Sequence, residues 1–413
     1  MTQAGTAKQC RRCKDQEAAH TIRSDPICND CFSRFVTTKT VKRLEVLNRE
    51  TRSSQTGRPG GDGSSGSIRK FYAGLSFGPC SAALVDVCEQ IILGRLSRGR
   101  DAAFTLHAVH IDTKLDQSGS EPLAEQRLDR WRTRYPRFTF ERVPLSDVLN
   151  LDTVDWAALF PASPDDATAS PPSTPLQLRT LLDNLPSATS RRDVLDLLVR
   201  RLLIARATSA TETPPYDALL LGCSTTALAE RTLAETAKGR GFSLPWQIND
   251  GAMDNGAGRQ IPLYYPVREL FRNELVLYLN TVAQPPLTEG EFVLLPASAT
   301  SSAAIVSHKD LSIEEVMTRY FAEVEANYPS IVANVVRTTA KLERHNHSHS
   351  HGHDHDHDHG EHTVTGCRVC GMPLDEAGNE RWKGEIGHLD GPEGTPRLRV
   401  DRLCYGCERS IHG

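Results

Sequence analysis

Residues 75–82 read Leu-Ser-Phe-Gly-Pro-Cys-Ser-Ala, and this short loop constrains the fold more than any other stretch of the 413-residue chain. An apolar run, 71–75, precedes the loop, and a helical pattern of apolar residues, 82–93, follows it. In α/β proteins, backbone N–H groups and the dipole of the following helix converge on a phosphate at such a loop. The loop therefore predicts an α/β fold of the nucleotide-binding type.

The rest of the chain alternates between strand and helix patterns. This alternation favours a parallel sheet with helices on both faces. Short apolar runs of the kind found in buried parallel strands are separated by longer segments with helical periodicity. The predicted strands are 104–111, 138–143 and 216–221, and the predicted helices are 121–135, 190–210, 227–238 and 312–342.

Composition narrows the class of protein. The chain is 38% hydrophobic and 24% charged, and it has no apolar stretch that approaches the 18 residues of a membrane span. Its N-terminus has no apolar signal core, so we expect a cytoplasmic or nuclear protein. The net charge is −4, but residues 1–70 contain 14 Lys and Arg against 7 Asp and Glu. That basic end predicts either a polyanion contact or a solvated arm.

Eight of the 11 cysteines form four Cys-x-x-Cys hooks, two at each end of the chain. Two hooks joined by a loop can supply a tetrahedral thiolate site, so each end predicts a structural zinc module. An iron–sulfur cluster or reactive thiols are the alternatives at the N-terminal end. At the C-terminal end, where 33 residues separate the hooks, the alternative is a loosely ordered tail. The N-terminal set is Cys10, Cys13, Cys28 and Cys31, and the C-terminal set is Cys367, Cys370, Cys404 and Cys407.

Two strand-to-helix turns resemble the motifs of PP-loop enzymes in part. Against the pyrophosphate loop Ser-Gly-Gly-x-Asp-Ser, Ser76, Gly78 and Ser81 match, whereas Phe77 and Cys80 replace the first glycine and the acidic residue. Phe77 would crowd a phosphate there. Against the later turn Gly-His-Asn-x-Asp-Asp-x-Ala-Glu-Thr, the matching residues are Gly222, Ala229 and Glu230. Thr226 and Ala227 replace its two acidic residues. A Mg²⁺ site without carboxylates is poorly held, so ATP–Mg binding is doubtful.

With the terminal hooks, these turns resemble the cytoplasmic tRNA 2-thiolation protein 2 family. The segments 110–112 and 265–270 also match PP-loop tRNA-modifying enzymes, but no cysteine lies between Cys88 and Cys223, where sulfur-inserting members carry a Cys-x-x-Cys pair. The resemblance implies a PP-loop-type (Rossmann-like) parallel sheet flanked by N- and C-terminal zinc-knuckle modules.

The resemblance also implies a function. A member of this family is the non-catalytic subunit of a heterodimer with a catalytic PP-loop thiolase. The heterodimer thiolates the wobble uridine of cytosolic tRNAs for Lys, Glu and Gln, with sulfur from a thiocarboxylated ubiquitin-related modifier. No membrane contact is expected.

The sequence suggests five segments. These are a basic four-cysteine zinc module (1–50), a flexible linker (51–67), a degenerate PP-loop domain (68–343) with an insertion near 161–175, a disordered His-rich tract (344–362), and a C-terminal four-cysteine module (363–413). Lys and Arg bind RNA backbones without reading sequence. The candidates for that contact are Arg11, Arg12, Lys14, Arg34, Lys39, Lys42 and Arg43.

Two other functions stay open at this stage. The chain could be an ATP-dependent tRNA sulfurtransferase that uses Cys80 or Cys223 as sulfur carrier, although lone cysteines beside apolar runs are more often buried and inert. It could also be a zinc-binding scaffold or a metal-buffering protein, in which the His-rich tract is the functional part.

Overall fold

The N-terminal segment folds as a short hairpin followed by one long helix. The computed structural model describes residues 8–55, 68–115, 123–160, 171–209, 215–287, 292, 311–344, 366–374 and 403–412. Strand β1 (His20–Ile22) pairs antiparallel with β2 (Asp25–Ile27), and helix α1 spans Asn29–Gln55. The first five residues of the predicted linker are therefore helical, because a helix that has formed gains one hydrogen bond with each added residue. Residues 56–67 lie outside the described part.

A six-stranded sheet follows. Five of its strands are parallel, and the edge strand β7 is antiparallel to β8. The order across the sheet is β5-β4-β3-β6-β8-β7, so β4 and β5 lie on one side of β3, while β6, β8 and the edge strand β7 lie on the other. The mostly parallel α/β sheet confirms the predicted fold class. The strands are β3 (Arg69–Gly74), β4 (Phe104–Asp112), β5 (Thr139–Pro144), β6 (Ala218–Leu221), β7 (Gly251–Asp254) and β8 (Gln260–Tyr264).

Helices cover both faces of the sheet, and the side chains of β3 alternate between two cores. Phe71 and Ala73 belong to one core, together with the hairpin, α1, α2, α3 and α9, while Tyr72 belongs to the other, with α4 to α8 and α10 to α12. The helices are α2 (Pro79–Leu96), α3 (Leu123–Arg134), α4 (Trp156–Leu159), α5 (Pro175–Asp183), α6 (Ala188–Ala207), α7 (Thr225–Ala237), α8 (Leu244–Ile248), α9 (Arg272–Thr281), α10 (Ile313–Asn327), α11 (Pro329–Thr339) and α12 (Tyr405–His412), with 3₁₀ turns at Leu145–Asn150 and Gly241–Ser243.

The predicted single helix over 312–342 is wrong. It is divided into α10 and α11 at Tyr328, where the backbone leaves the helical region (φ −139°, ψ 59°). Pro329 has no N–H to continue the helix and restricts the residue before it, so the chain bends there. Both helices pack on α7. Within the described residues, each helix is too short or too polar to cross a bilayer.

Two predicted segment boundaries differ from those in the structure. Residue 175 begins α5 and is not part of the insertion, because Thr174 and Gln177 form a capping box there; residues 161–170 lie outside the described part. Arg344, assigned to the His-rich tract, is ordered: its guanidinium donates to the backbone carbonyls of Asn249 and Ala252, each at 2.7 Å. The His-rich residues 345–362 lie outside the described part.

Candidate functional site

The two degenerate turns lie side by side at the carboxyl end of the sheet. One follows β3 and the other follows β6, and these strands are neighbours, with Gly74 beside Leu221. The strand order reverses at this point, because β4 follows β3 on one side and β6 lies on the other side. In α/β proteins, such a reversal leaves a crevice at the carboxyl ends of the strands, where ligands bind. Gly222 makes the close approach possible: a Cβ at this position would lie 2.5 Å from the Cα of Ser81. The structure thus brings together the two predicted turns.

The first turn satisfies its own polar groups. The Ser76 and Ser81 hydroxyls lie 3.1 Å apart, and Ser81 Oγ accepts from the backbone N–H of Ser76 at 3.2 Å. Ser76 Oγ in turn accepts from the N–H of Gly78 at 3.2 Å. Two of the N–H groups that would face a phosphate in this kind of loop are therefore engaged by serine hydroxyls.

Phe77 keeps the backbone shape of the glycine that it replaces. Its φ of +57° lies in the left-handed region, which glycine adopts freely and which costs other residues about 1–2 kcal/mol. The ring is only 1% exposed and packs on His110 at 4.6 Å and Trp131 at 6.0 Å between ring centroids. The ring thus packs into the core, and the crowding that we expected at the phosphate position is not its main effect.

The second turn is occupied by internal contacts. Thr226 Oγ1 donates to Glu325 of α10 at 2.5 Å and accepts from the backbone N–H of Arg272 at 3.0 Å. Glu230 holds the Arg272 guanidinium with two hydrogen bonds of 2.6 Å each. Burial raises the pKa of Glu325, although Thr226 and the N–H of Asn273 donate to it. The position that would carry a metal-binding carboxylate instead fixes α7 to α9 and α10.

Ala227 and Arg268 are two further residues of the sequence motifs. Ala227 is partly exposed and lines a cavity, so its position offers no ligand atom from a side chain. Arg268, from the segment 265–270, lies 3.5 Å from Asp250. The partner of Glu230 is Arg272, which begins α9.

The two cysteines near the turns are poor nucleophiles. Burial raises the pKa of Cys80, and it raises the pKa of Cys223 to about 11. A thiol is reactive as its thiolate, which is scarce at neutral pH when the pKa is this high. Their environment therefore gives no support to a role as sulfur carriers.

A cavity of about 2470 Å³ opens from the second turn toward the C-terminal cysteines. Its lining includes Pro79 and Cys223, near the two turns, and also Cys367 and Cys370 of the first C-terminal hook. Arg200 and Arg231 also line the cavity, and Arg200 donates to the carbonyl of Trp246 at 3.0 Å. This volume exceeds that of ordinary small-molecule pockets, and its lining mixes both signs of charge.

The N-terminal cysteines form one compact cluster, with all four sulfurs within 4.8 Å of one another. Cys10 and Cys13 lie on a turn, Cys28 follows β2, and Cys31 lies in the first turn of α1. The sulfurs of Cys13 and Cys28 are 3.8 Å apart. Burial would raise the pKa of Cys10, but N–H groups of Cys13, Cys28 and Arg12 donate to its sulfur and lower that pKa to about 6.

The C-terminal cysteines repeat this arrangement. Cys367 and Cys370 lie on a turn that Gly371 closes with a φ of +72°, and Cys404 and Cys407 lie at the start of α12. The four sulfurs again lie within 4.8 Å of one another, and those of Cys370 and Cys404 are 3.8 Å apart. The N–H of Cys404 donates to the sulfur of Cys367 at 3.3 Å. Both predicted ligand sets are therefore assembled.

Each of the two clusters fits one tetrahedrally coordinated metal ion. Four sulfurs at zinc–sulfur distances of about 2.3 Å are separated by about 3.8 Å when the geometry is tetrahedral. One sulfur pair in each cluster has this separation, and all four sulfurs of each cluster lie within 4.8 Å of one another. An iron–sulfur cluster has its own iron and sulfide atoms between the ligands and would need the cysteines farther apart. Each cluster can therefore hold one metal ion such as zinc, in a closed site suited to a structural role.

The seven candidate RNA-binding residues have different surroundings. Lys39 lies 3.0 Å from Glu269, and Arg43 pairs with Asp250, so both connect the module to the α/β core. Arg11 pairs with Asp25 on the hairpin while its side chain stays 71% exposed. The remaining four are exposed: Arg12, which lies over the Phe35 ring, and Lys14, Arg34 and Lys42. RNA contact by Lys39 or Arg43 would have to break an ion pair.

Sequence reasoning missed the residues that hold these sites in place. Glu325 and Arg272 bond to the second turn, and Arg201 and Arg240 contact the C-terminal hooks. They lie in helices or just beyond them, tens to hundreds of positions from their partners. Single charged residues in helical patterns are usually solvated, so the sequence carries no signal that singles them out.

Comparison with known proteins identifies the family. A family model described as "Cytoplasmic tRNA 2-thiolation protein 2" matches residues 312–409, which include α10, α11 and the C-terminal hooks. In structure, the chain is similar to the U34-tRNA thiolase NcsA from Methanococcus maripaludis with its [4Fe-4S] cluster, at a TM-score of 0.49 and 15% identity, over 92% of this chain and 97% of that one.

Two relatives in sequence are each named cytoplasmic tRNA 2-thiolation protein 2. The protein of Phaeosphaeria nodorum is 36% identical over 410 residues, which cover 99% of this chain and 96% of the relative. The protein of Pyrenophora tritici-repentis is 34% identical over 404 residues, which cover 97% of this chain and 94% of the relative. With this identity over nearly its whole length, the chain belongs to the cytoplasmic tRNA 2-thiolation protein 2 family.

Proposed function

We propose that this chain is a cytoplasmic, non-catalytic subunit required for 2-thiolation of the wobble uridine in tRNAs for Lys, Glu and Gln. It acts as a heterodimer with a catalytic PP-loop thiolase. That thiolase takes sulfur from a thiocarboxylated ubiquitin-related modifier. The modifier contacts this chain directly or is bound only by the partner. Membership of the family supports the thiolation role.

The observation that carries the non-catalytic part is the occupied second turn. Thr226 is bonded to Glu325 and to the N–H of Arg272, and Glu230 is bonded to Arg272. A Mg·ATP site would need carboxylate oxygens free to face the ion. Here the one acidic residue of the motif, Glu230, forms a buried ion pair with Arg272, and the Glu230 side chain is 11% exposed. The turn is therefore suited to holding helices together and unsuited to turning over a nucleotide.

The test is release of AMP by the purified chain with tRNA, alone and with the catalytic partner. We expect no turnover by the chain alone and turnover by the pair. Turnover by the chain alone would reject the non-catalytic assignment and favour the ATP-dependent sulfurtransferase. Alanine at Cys80 or Cys223 would then locate the sulfur carrier.

Cysteine alkylation tests the same alternative independently. Because burial raises the pKa of Cys223 to about 11, its alkylation should be slow at pH 8 and accelerate only as the pH approaches that value. Peptide mapping by mass spectrometry measures this cysteine by itself. Rapid modification of Cys223 at neutral pH would favour a carrier role.

We further propose that the basic N-terminal module contacts the tRNA backbone. The exposed Arg11, Arg12 and Lys14 lie around the first cysteine hook, and backbone contacts by Lys and Arg release counterions. Charge reversal of these three residues should weaken binding of the heterodimer to tRNA and flatten its salt dependence. Unchanged affinity and slope would reject this contact.

The metal in both clusters is, in this proposal, zinc with a structural role. The metal-buffering alternative depends on the His-rich tract, and deletion of residues 345–362 separates the two. We expect tRNA thiolation to survive that deletion, whereas its loss would favour the alternative.

A further inference from the structure

Two arginines of the α/β core contact the C-terminal cysteine hooks, one at each hook. Arg201 of α6 donates to the backbone carbonyl of Val369, between Cys367 and Cys370, at 3.1 Å. Arg240, three residues beyond α7, points its guanidinium at the sulfur of Cys407 at 3.4 Å. We propose that Arg240, fixed by Asp193, is a positioning residue for the metal in this cluster, and that the core orders the two hooks for metal binding.

The Arg240 guanidinium lies between a carboxylate and a thiolate. Its two terminal nitrogens donate to Asp193 at 2.6 and 2.5 Å, and one of them also faces Cys407. Ser410 of α12 donates to the same carboxylate at 2.7 Å. The side chains of Arg240 and Asp193 are only 5% and 7% exposed, so little water is available to separate the two anions. Without the guanidinium, Asp193 would keep only Lys238 as a close cation, and the metal-bound thiolate of Cys407 would lose the positive charge that faces it.

Lys238 binds the same carboxylate as Arg240. Its ammonium lies 2.7 Å from Asp193, 2.7 Å from Glu235 and 2.7 Å from Glu314 of α10. Asp193, Glu235 and Glu314 could be taken for a second metal site, but Lys238 already supplies the cation that they need. The network therefore connects α6, α7 and α10 to the second hook.

Shape supports the same connection independently of charge. A Cβ on Gly406, inside the second hook, would lie 2.4 Å from Cγ of Arg240 and 2.8 Å from the carbonyl oxygen of Lys238. A Cβ on Gly239, which has a φ of +76°, would lie 2.3 Å from the ring of Tyr405. Two glycines that face each other's segments thus allow the hook and the end of α7 to interlock.

This role differs from that of the ligands. The hooks are separated by 33 residues, so their sequence alone does not bring them together as a short loop does in the N-terminal cluster. Groups that orient metal ligands typically change metal affinity about 10- to 100-fold when they are removed. The inference depends on the proposed metal but not on the role in tRNA thiolation.

The test measures metal release from the full-length chain with a chromogenic chelator. Cys407→Ser first assigns one of the two metal equivalents to the C-terminal cluster. Arg240→Gln should then accelerate release of that equivalent by about tenfold or more and leave the other nearly unchanged. Arg240→Lys keeps the charge but loses the fork, so it should have an intermediate effect. Arg179→Gln, which changes an exposed arginine on α5, is the matched control.

Two results with Arg240→Gln would overturn the proposal. One is release of both equivalents from Arg240→Gln at wild-type rates, and the other is equal acceleration of both, which indicates general destabilisation. If Arg240→Gln does not fold, Arg201→Gln decides, because it removes one hydrogen bond to the first hook and keeps the buried ion pair. Faster release of the C-terminal equivalent alone would support the proposal, and the wild-type rate would reject it. Unchanged metal content in Cys407→Ser would instead reject the metal itself.

Discussion

The two cysteine clusters have the same ligands and similar local shapes, but they lie in different cores on opposite faces of the sheet. In each, the first hook lies on a turn and the second lies at the start of a helix. The N-terminal cysteines belong to the core that contains residues of α1, α2 and α9, whereas the C-terminal cysteines belong to the core that contains residues of α6, α7 and α8. One ligand pattern has thus been built into two different surroundings.

The difference lies in what holds the ligands together. The N-terminal cluster takes its ligands and its hairpin from one short segment, Cys10 to Cys31, and N–H groups of that segment donate to Cys10. The C-terminal cluster is contacted by Arg201 and Arg240, which lie more than 160 positions from the hooks that they contact. Ligand spacing therefore identifies a metal site, but it does not tell whether the site is self-contained or completed by the core.

The largest expected effect distinguishes a self-contained cluster from one integrated with the core. Cys407→Ser should lower protection against hydrogen exchange in α12 and in the adjoining ends of α6 and α7, by about 4 kcal/mol or more, because structural metal binding contributes directly to folding. Cys10→Ser should lower protection in the hairpin and the start of α1 and leave α6 and α7 protected. Loss of protection in α6 and α7 in both variants would contradict the comparison.

The second effect concerns the buried pair. Asp193→Asn should lower the free energy of unfolding by about 3–5 kcal/mol, because it removes one of the two buried carboxylates, Asp193 and Glu235, that pair with both Arg240 and Lys238. Urea unfolding measures this change. Asp183→Asn is the matched control: its pair with Arg179 is 60% exposed on the aspartate side, and the loss should stay below about 1 kcal/mol. Equal losses in both variants would remove the distinction between buried and exposed pairs.

The third effect tests the docking of the N-terminal module. Arg23→Gln should lower the free energy of unfolding by about 2 kcal/mol, because Arg23 gives Glu274 two hydrogen bonds, of 2.6 and 2.9 Å. The loss should be smaller than for Asp193, since Arg23 is itself 38% exposed and Glu274 keeps its bond to the N–H of Phe271. If Arg23→Gln lowers the free energy of unfolding as much as Asp193→Asn does, the N-terminal and C-terminal cysteine modules depend on the core equally.

Much of the fold could be predicted from the sequence because it depends on local patterns. The alternation of apolar runs and helical segments located β3, β4, β5 and β6, and the Cys-x-x-Cys spacing located both clusters. The split at Tyr328 was missed although Pro329 marked it, because the apolar periodicity continues on both sides. The hairpin β1–β2 and the edge strand β7 are short, and three or four residues carry little periodicity.

The candidate site was predictable only as far as its motifs reach. Ser76, Gly78, Ser81 and Gly222 could be located because the loop pattern names them. Glu325 could not, because its bond to Thr226 joins residues 99 positions apart and depends on how α10 packs on α7. The sequence indicated that carboxylates were lost from the second turn; only the structure could tell what has replaced their contacts.

The smallest effect concerns Lys39, which the sequence assigns to RNA and the structure pairs with Glu269 at 3.0 Å. The two side chains are 30% and 45% exposed, so Lys39→Gln should change the free energy of unfolding by less than about 1 kcal/mol, and less still in 1 M salt.

If the pair persists in the tRNA complex, Lys39→Gln should hardly change tRNA affinity, whereas Lys42→Gln, one helical turn away and exposed, should weaken it. If Lys39 contacts RNA instead, Glu269→Gln should raise tRNA affinity because it frees the ammonium. Fluorescence anisotropy with the heterodimer at two salt concentrations separates these cases, and a gain in Glu269→Gln would show that the docking pair competes with RNA.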